Sequence, residues 1–185
     1  MKRILTCVLA MTAALAVDLA AQRGDAATIE RALAPLSGRQ AEGAAIVAFN
    51  ADHTWRTLKE GTNRWVCYDR SGEAGQAAFS VQCTSVANLP RIAQNRKLAA
   101  ENQGGDALRA AVAAAEANGT RVAAEYGSMW IRVTGQSRET AGTHTTIAVP
   151  GATSATTGLP ESGSQGGAYI MAAGTSEAHI MVPGR

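Results

Sequence analysis

The side chains of this 185-residue chain that come nearest to chemistry are three histidines, two serines in a glycine-rich stretch and two of three cysteines. His179 and Met181 alternate onto one face of the apolar run AHIMV, and His144 sits in another strand-like run. Imidazole with thioether suits a soft ion such as cuprous copper, but two ligands are an incomplete set, and Met129 and Met171 fit a core by spacing. Ser162 and Ser164 lie in SGSQG, which has the composition of a nucleophile elbow without its G-x-S-x-G order. A hydrolytic dyad of either serine with His144 or His179 has no local signature behind it. His53 follows Asp52 in a run of turn formers and reads as a solvated loop residue, whereas His179 reads as a core imidazole held by one backbone or hydroxyl partner. The chain has no phosphate-cradling glycine loop before a helix, no HExxH and no second cysteine pair for zinc. The sequence therefore assigns no catalytic residue, no cofactor and no metal site. The expectation is an exported binding or envelope-interaction module rather than an enzyme. A small hydrolase or metal-handling protein working through His144 or His179 is the alternative.

Cys67 and Cys83 enclose 15 residues rich in Ser, Gly, Glu and Ala. Redox-active pairs usually stand two residues apart, so in an oxidising compartment these two are expected as a structural disulfide. The compartment is read from the start of the chain. Met1-Lys2-Arg3 is a basic n-region and Ile4 to Val17 an apolar run of 14 residues, with small-residue sites at Ala14-Leu15-Ala16 and Leu19-Ala20-Ala21. This reads as a bacterial secretory signal peptide over 1–21, cleaved after Ala21 or, alternatively, Ala16, with Cys7 removed in it. No later stretch approaches the roughly 18 apolar residues of a membrane span. The expected product, residues 22–185, is one soluble α+β domain, secreted or periplasmic. Removing Lys2, Arg3 and Asp18 leaves 15 basic and 14 acidic groups, a net charge of +1. The one basic cluster, Arg91, Arg96 and Lys97, falls on a predicted helix and reads as a solvated face, so no nucleic-acid partner is expected.

The organising stretch is 44–83. Ala45–Phe49, Thr54–Lys59 and Trp65–Tyr68 are short β-prone runs separated by Asn50-Ala51-Asp52-His53 and Gly61-Thr62-Asn63-Arg64, a pattern that predicts three antiparallel strands joined by hairpins. Alternation sets Trp55 against Leu58, so Trp65 beside Cys67 is the expected core tryptophan and Trp55 an outer one. Thr28–Leu36 predicts a short helix capped by Thr28. Asn88-Leu89-Pro90 opens a helix ending near Gly104-Gly105, and Asp106 caps a second one stopped by Asn118-Gly119. Ser128–Thr134 and Thr143–Val149 read as strands. A low-complexity loop over 151–167 follows, with a helical turn near Thr153–Thr157 and a functional or mobile role expected from its length. Ala168–Ala172 and Ala178–Val182 form a last hairpin, apolar enough to predict a central position. The expected fold is α+β: an antiparallel sheet or partly closed barrel of about seven strands with a helical hairpin on one side.

The run WRTLKEGTNRWVCYD resembles a Trp–EGTN–Trp–Cys signature in a family of uncharacterised exported bacterial proteins. The tail GGAYIMAAGTSEAHIMVPG resembles the carboxy-terminal AHIMVP-type signature of the same family, and EYGSMWIRVTG is compatible with it. The chain departs at Arg64, where a small turn residue is expected. The resemblance implies a shared exported fold and brings no activity, cofactor or partner with it.

The cysteine reading has a direct check. Purified exported protein should show one Cys67–Cys83-linked peptide pair and no alkylatable thiol. Reduction should cost about 3 kcal/mol of stability, the loop-closure value for a loop of this size; full alkylation without reductant would refute the pairing.

Overall fold

The computed structural model describes Gln22 and residues 24–183, so the expected leader over 1–21 lies outside the described residues. Eight strands make one open sheet: β1 (Ala45–Phe49), β2 (Trp55–Lys59), β3 (Trp65–Asp69), β4 (Phe79–Ser85), β5 (Met129–Gly135), β6 (Gly142–Ala148), β7 (Tyr169–Met171) and β8 (His179–Val182). Their order is β2-β1-β3-β4-β5-β6-β8-β7, and all neighbours are antiparallel except β1 and β3. The helices are α1 over 24–32, α2 (Gly38–Gly43), α3 (Leu89–Glu101), α4 (Gly105–Ala117) and α5 (Ser154–Thr157). Among the described residues no helix is long and apolar enough to cross a membrane.

The mixed α+β class and a mostly antiparallel sheet agree with the sequence; several finer expectations do not. The sheet is not closed into a barrel. β1 and β2 form the predicted hairpin, but β3 does not pair with β2. It lies on the far side of β1 and runs parallel to it, with Ala45 opposite Val66 and Ile46 opposite Cys67. The chain leaving β2 must therefore cross the start of β1. It does so at Gly61, where an added Cβ would stand 2.5 Å from the backbone N and 2.9 Å from the Cβ of Ala45. The rest of the EGTN run ties this crossing to α2. The backbone N–H groups of Thr62 and Asn63 donate to Gly43 O at 2.8 and 3.0 Å, and Lys59 Nζ donates to Glu42 O and Ala44 O. Asn63 Nδ2 donates to Gln40 O at 3.0 Å while its Oδ1 accepts from Trp65 N. These contacts satisfy carbonyls that a helix end leaves open. Arg64 points outward to Glu125, so a long side chain fits at this turn position.

The eighth strand, β4, which is absent from the seven expected from sequence, occupies the interior of the sheet. Six of its seven residues are buried. Cys83 faces Cys67 directly in the β3–β4 ladder, with Cα atoms 4.1 Å apart and sulfurs at bonding distance. The final hairpin is also displaced from expectation: β7 is an edge strand, covered on its outer side where Ile170 N donates to Pro160 O. The 151–167 loop carries α5, whose Thr153 side chain forms a capping box with Thr156.

Both faces of the sheet are used. Residues paired across antiparallel strands share a face, so one face carries Cys67, Cys83 and Ile131. There Ala32 and Leu36, from α1 and the turn after it, pack with Ile46 and both cysteines. Thr28 does not cap this helix; its hydroxyl donates back to Gly24 O. Trp65 packs at the margin of the cluster and is only half-buried, short of the core role expected for it, whereas Trp55 is exposed as predicted. The opposite face carries Val66, Tyr68, Gln82, Arg132 and Trp130, and the first turns of α3 bring Leu89 and Ile92 onto Val47, Val66 and Tyr68. Asn88 does not cap α3. It is fully buried, donating to the hydroxyls of Thr84 and Ser128 and accepting from Glu125 N, so it bolts the start of the helix to β4 and β5. Asp106 lies in the first turn of α4 and pairs with Arg109, Gly104 being the cap residue.

The crossing at Gly61 makes a sharp prediction. Gly61→Ala should destabilise the fold at the upper end of the about 1–3 kcal/mol typical of overpacking, because the obstructing atoms are backbone and cannot rotate away. Arg64→Ala, three residues on, should change stability by less than about 0.5 kcal/mol. Denaturant melts of both variants check the pair.

Candidate functional site

The second face of the sheet does not end in a closed core. Between its β4–β6 portion and α3–α4 runs an open cleft of about 1020 Å³. One cross-strand row of its floor reads Tyr68, Gln82, Arg132, with His144 next in line; the row beyond carries Trp130, Thr146 and Met181. Tyr68 is buried and donates its hydroxyl to Gln82 Oε1 at 2.9 Å. The helices supply half-buried Leu98, Leu108 and Val112 as an apolar wall. Six arginines line the cleft, Arg70, Arg91, Arg96, Arg109, Arg121 and Arg132, against three glutamates, Glu73, Glu116 and Glu177.

The two ends of the cleft differ in charge. At the end near β8, Arg91 and Arg121 are buried and both donate to Glu177 Oε1, at 3.4 and 2.5 Å. Arg91 also bonds Val122 O, Arg121 donates to Gln94 Oε1 at 2.8 Å, and Ser176 bonds Glu116. Burial, and then the neighbouring Arg121, hold Arg91 below the usual guanidinium range, while Glu177 and Glu116 oppose them. Two guanidinium groups and two carboxylates balance here, and the contacts join the 172–178 turn to both helices. This end is an internal fastening.

The other end lies under the loop joining β3 to β4. Arg70 Nε donates to Glu73 at 3.2 Å, and Arg96 pairs with the same carboxylate while its guanidinium sits 4.2 Å above the Phe49 ring. Arg132 Nη2 donates to Gln76 Oε1 at 3.1 Å, and its Nε is buried without a partner. Asp69, adjacent in sequence, faces the other side of the sheet and pairs with Arg31. Three guanidinium groups thus face one carboxylate.

The residues singled out from sequence are scattered around this cleft rather than gathered in it. His179 lines it, half-buried, with Nδ1 2.7 Å from Glu177 O, the single backbone partner expected of it. His53 sits half-buried at the rim with φ of 68°, not solvated as expected. His144 is exposed and lines a separate depression with Gly163, Gly166, Tyr169 and Met181. Since His179 pairs with Ala148, four residues from His144 along β6, the two histidines are about 13 Å apart along the strand. Ser162 and Ser164 bond to each other at 3.0 Å. Among the described residues no three His, Cys, Asp or Glu side chains converge as metal ligands would. Of the basic trio on α3, Lys97 is exposed, but Arg91 is buried and Arg96 stacks on an aromatic ring, so the solvated face read from sequence is two-thirds inward. No family model, curated protein or solved structure matches the chain.

Burial pushes the Tyr68 hydroxyl far above the ordinary phenol value, against the pull of Arg70 and Arg96. The native state therefore keeps a proton that the unfolded chain releases near pH 10. The corresponding stability is intact below that pH and falls as pH rises above it. Absorbance titration should show one tyrosine ionising only as the protein unfolds, and Tyr68→Phe should remove that late step; a Tyr68→Phe curve identical to the wild type would refute the assignment.

Proposed function

We propose that this chain is an exported, non-enzymatic binding module that holds a small ligand in the cleft between the sheet and α3–α4. The observation that carries the reading is the cleft itself. Its volume of about 1020 Å³ is at the upper edge of the range for ligand pockets. An apolar wall of Leu98, Leu108 and Val112 faces a floor with a few fixed polar groups, the combination that such pockets use. The 151–167 loop, for which its length suggested a functional role, offers less: α5 is capped and the loop packs Leu159 on the C-terminal cluster.

The Trp–EGTN–Trp–Cys resemblance supports a shared fold rather than a shared activity. Gly61 and Asn63 serve the crossing onto β3, and Glu177 in the tail signature fastens α3 to the segment after α4. We read the chain as one of that exported bacterial family on these grounds, and the opposed cysteines as its oxidised staple.

The reading is tested by thermal shift with a mixed panel of anionic, neutral and cationic small molecules. Compounds that raise the Tm of the wild type should lose their effect when the cleft is filled from the floor by Thr146→Trp or from the wall by Ala99→Trp. Each variant is first shown to melt cooperatively. A panel with no stabilising compound, or stabilisation that survives both fillings, overturns the reading.

A further inference from the structure

Charge separates the two ends of the cleft, and only one end has cationic groups to spare. At the β8 end, two carboxylates answer Arg91 and Arg121, and the named contacts engage those side chains with the protein's own backbone and amides. At the β3–β4 end, Arg70, Arg96 and Arg132 share one carboxylate, Glu73. Glu73 holds Arg70 and Arg96 directly, Gln76 of the same loop holds Arg132, and the Arg96 guanidinium stands 5.9 Å from the centre of the Tyr68 ring, so the charged groups gather under one loop. The side chains of Arg70 and Arg96 are 26% and 18% exposed, so their charge is only partly screened by bulk water. Each guanidinium has five N–H donors in a planar fork. The contacts named for these three side chains use one N–H of Arg70, one of Arg96 and one of Arg132. A buried Nε without a protein partner occurs at both ends, on Arg132 here and on Arg121 at the β8 end, so the count of carboxylates is what separates them. Such a surplus of forks on one wall matches a carboxylate or phosphate, which accepts two parallel N–H bonds. Next to this pole the cleft turns apolar along Leu98, Leu108, Val112 and Trp130.

We infer that the cleft takes an amphiphilic anion, its oxyanion head held by Arg70, Arg96 and Arg132 beside Tyr68 and its apolar body lying along the α3–α4 wall. The inference rests on the binding-module reading and deepens it. The head is defined by chemistry shared between carboxylates and phosphate monoesters, and the probes separate the two.

Isothermal titration of the oxidised mature protein at low salt would use octanoate, octyl phosphate, 1-octanol and inorganic phosphate. Octanoate or octyl phosphate, or both, should bind at one site, at least tenfold more tightly than 1-octanol and at least tenfold more tightly than inorganic phosphate. Binding by only one of the two names the head. Affinity should fall as salt is raised. Arg132→Gln should weaken binding at least tenfold, and Arg64→Gln, outside the cleft, less than twofold. If Arg132→Gln fails to fold, Arg70→Gln carries the same expectation, because Arg70 lies on the connecting loop and its side chain bonds only Glu73 among the described residues. Equal binding of 1-octanol and the anions, equal binding of inorganic phosphate and octyl phosphate, or full affinity in the arginine variants overturns the inference. A neutral or cationic compound that stabilises the wild type but neither filled variant, with no binding of the two octyl anions, overturns this inference while leaving the binding-module reading intact.

Discussion

A single steric constraint decides the architecture: the chain must pass over the start of β1 where Gly61 meets the Ala45 backbone. Without a Cβ there, β3 can reach the far side of β1 and lie parallel to it. With β3 so placed, β4 returns antiparallel beside it, and Cys67 and Cys83 face each other. The loop that closes this hairpin then projects over the second face of the sheet, carrying Arg70, Glu73 and Gln76 to Arg96 on α3 and Arg132 on β5. The cationic end of the cleft thus depends on a glycine that contributes nothing to it and precedes all of its arginines in the chain. The EGTN run gains a physical meaning from this: its glycine permits the crossing and its asparagine closes the end of α2.

Most element positions were legible in the sequence, because alternation and helix punctuation are local. β1, β2, β3, α3, α4, β5 and β6 lie within a few residues of their expected ranges. β4 was not legible, for a reason that can be named. Its strand FSVQCTS puts Ser80 and Thr84 at fully buried positions. These polar residues are satisfied inside the sheet by side chains of the flanking segments: Ser80 bonds Gln76 of the preceding loop, and Thr84 accepts from Asn88 at the start of α3. A pattern rule that equates polar with exposed therefore reads the interior of this sheet as loop. The parallel β1–β3 pair was hidden for a related reason, since a five-residue connection between strands signals a hairpin unless its glycine is recognised as a crossing point.

The candidate site was least legible of all. Its arginines stand at 70, 91, 96, 109, 121 and 132, on two loops, two helices and a strand, and no local window holds more than two of them. Side chains that sequence marked as chemical, the histidines and serines, were marked by type; what the fold assembles is chosen by register. Gln82 brings Tyr68 and Arg132 into one row because β4 lies between β3 and β5, and an expectation that omitted β4 could not join them.

Six arginines on one concave surface would ordinarily argue for a nucleic-acid or lipid partner, but their environments divide them. A guanidinium buried against an equal number of carboxylates, as with Arg91 and Arg121, repays its desolvation with internal bonds and is best understood as part of the frame. Removing Glu177 would leave two buried cations facing each other, so that carboxylate is structural even though it borders the cleft. The opposite holds at Glu73, which shares two guanidinium groups on a partly open surface with a third, on Arg132, beside them. There three guanidinium groups answer to one carboxylate, and an anion entering the cleft lowers the mutual repulsion of the arginines as well as forming bonds of its own. The same residue type thus holds one end of the cleft shut and leaves the other electrostatically unsatisfied, and it is the ratio of carboxylates to guanidinium groups, more than their number, that distinguishes scaffold from site.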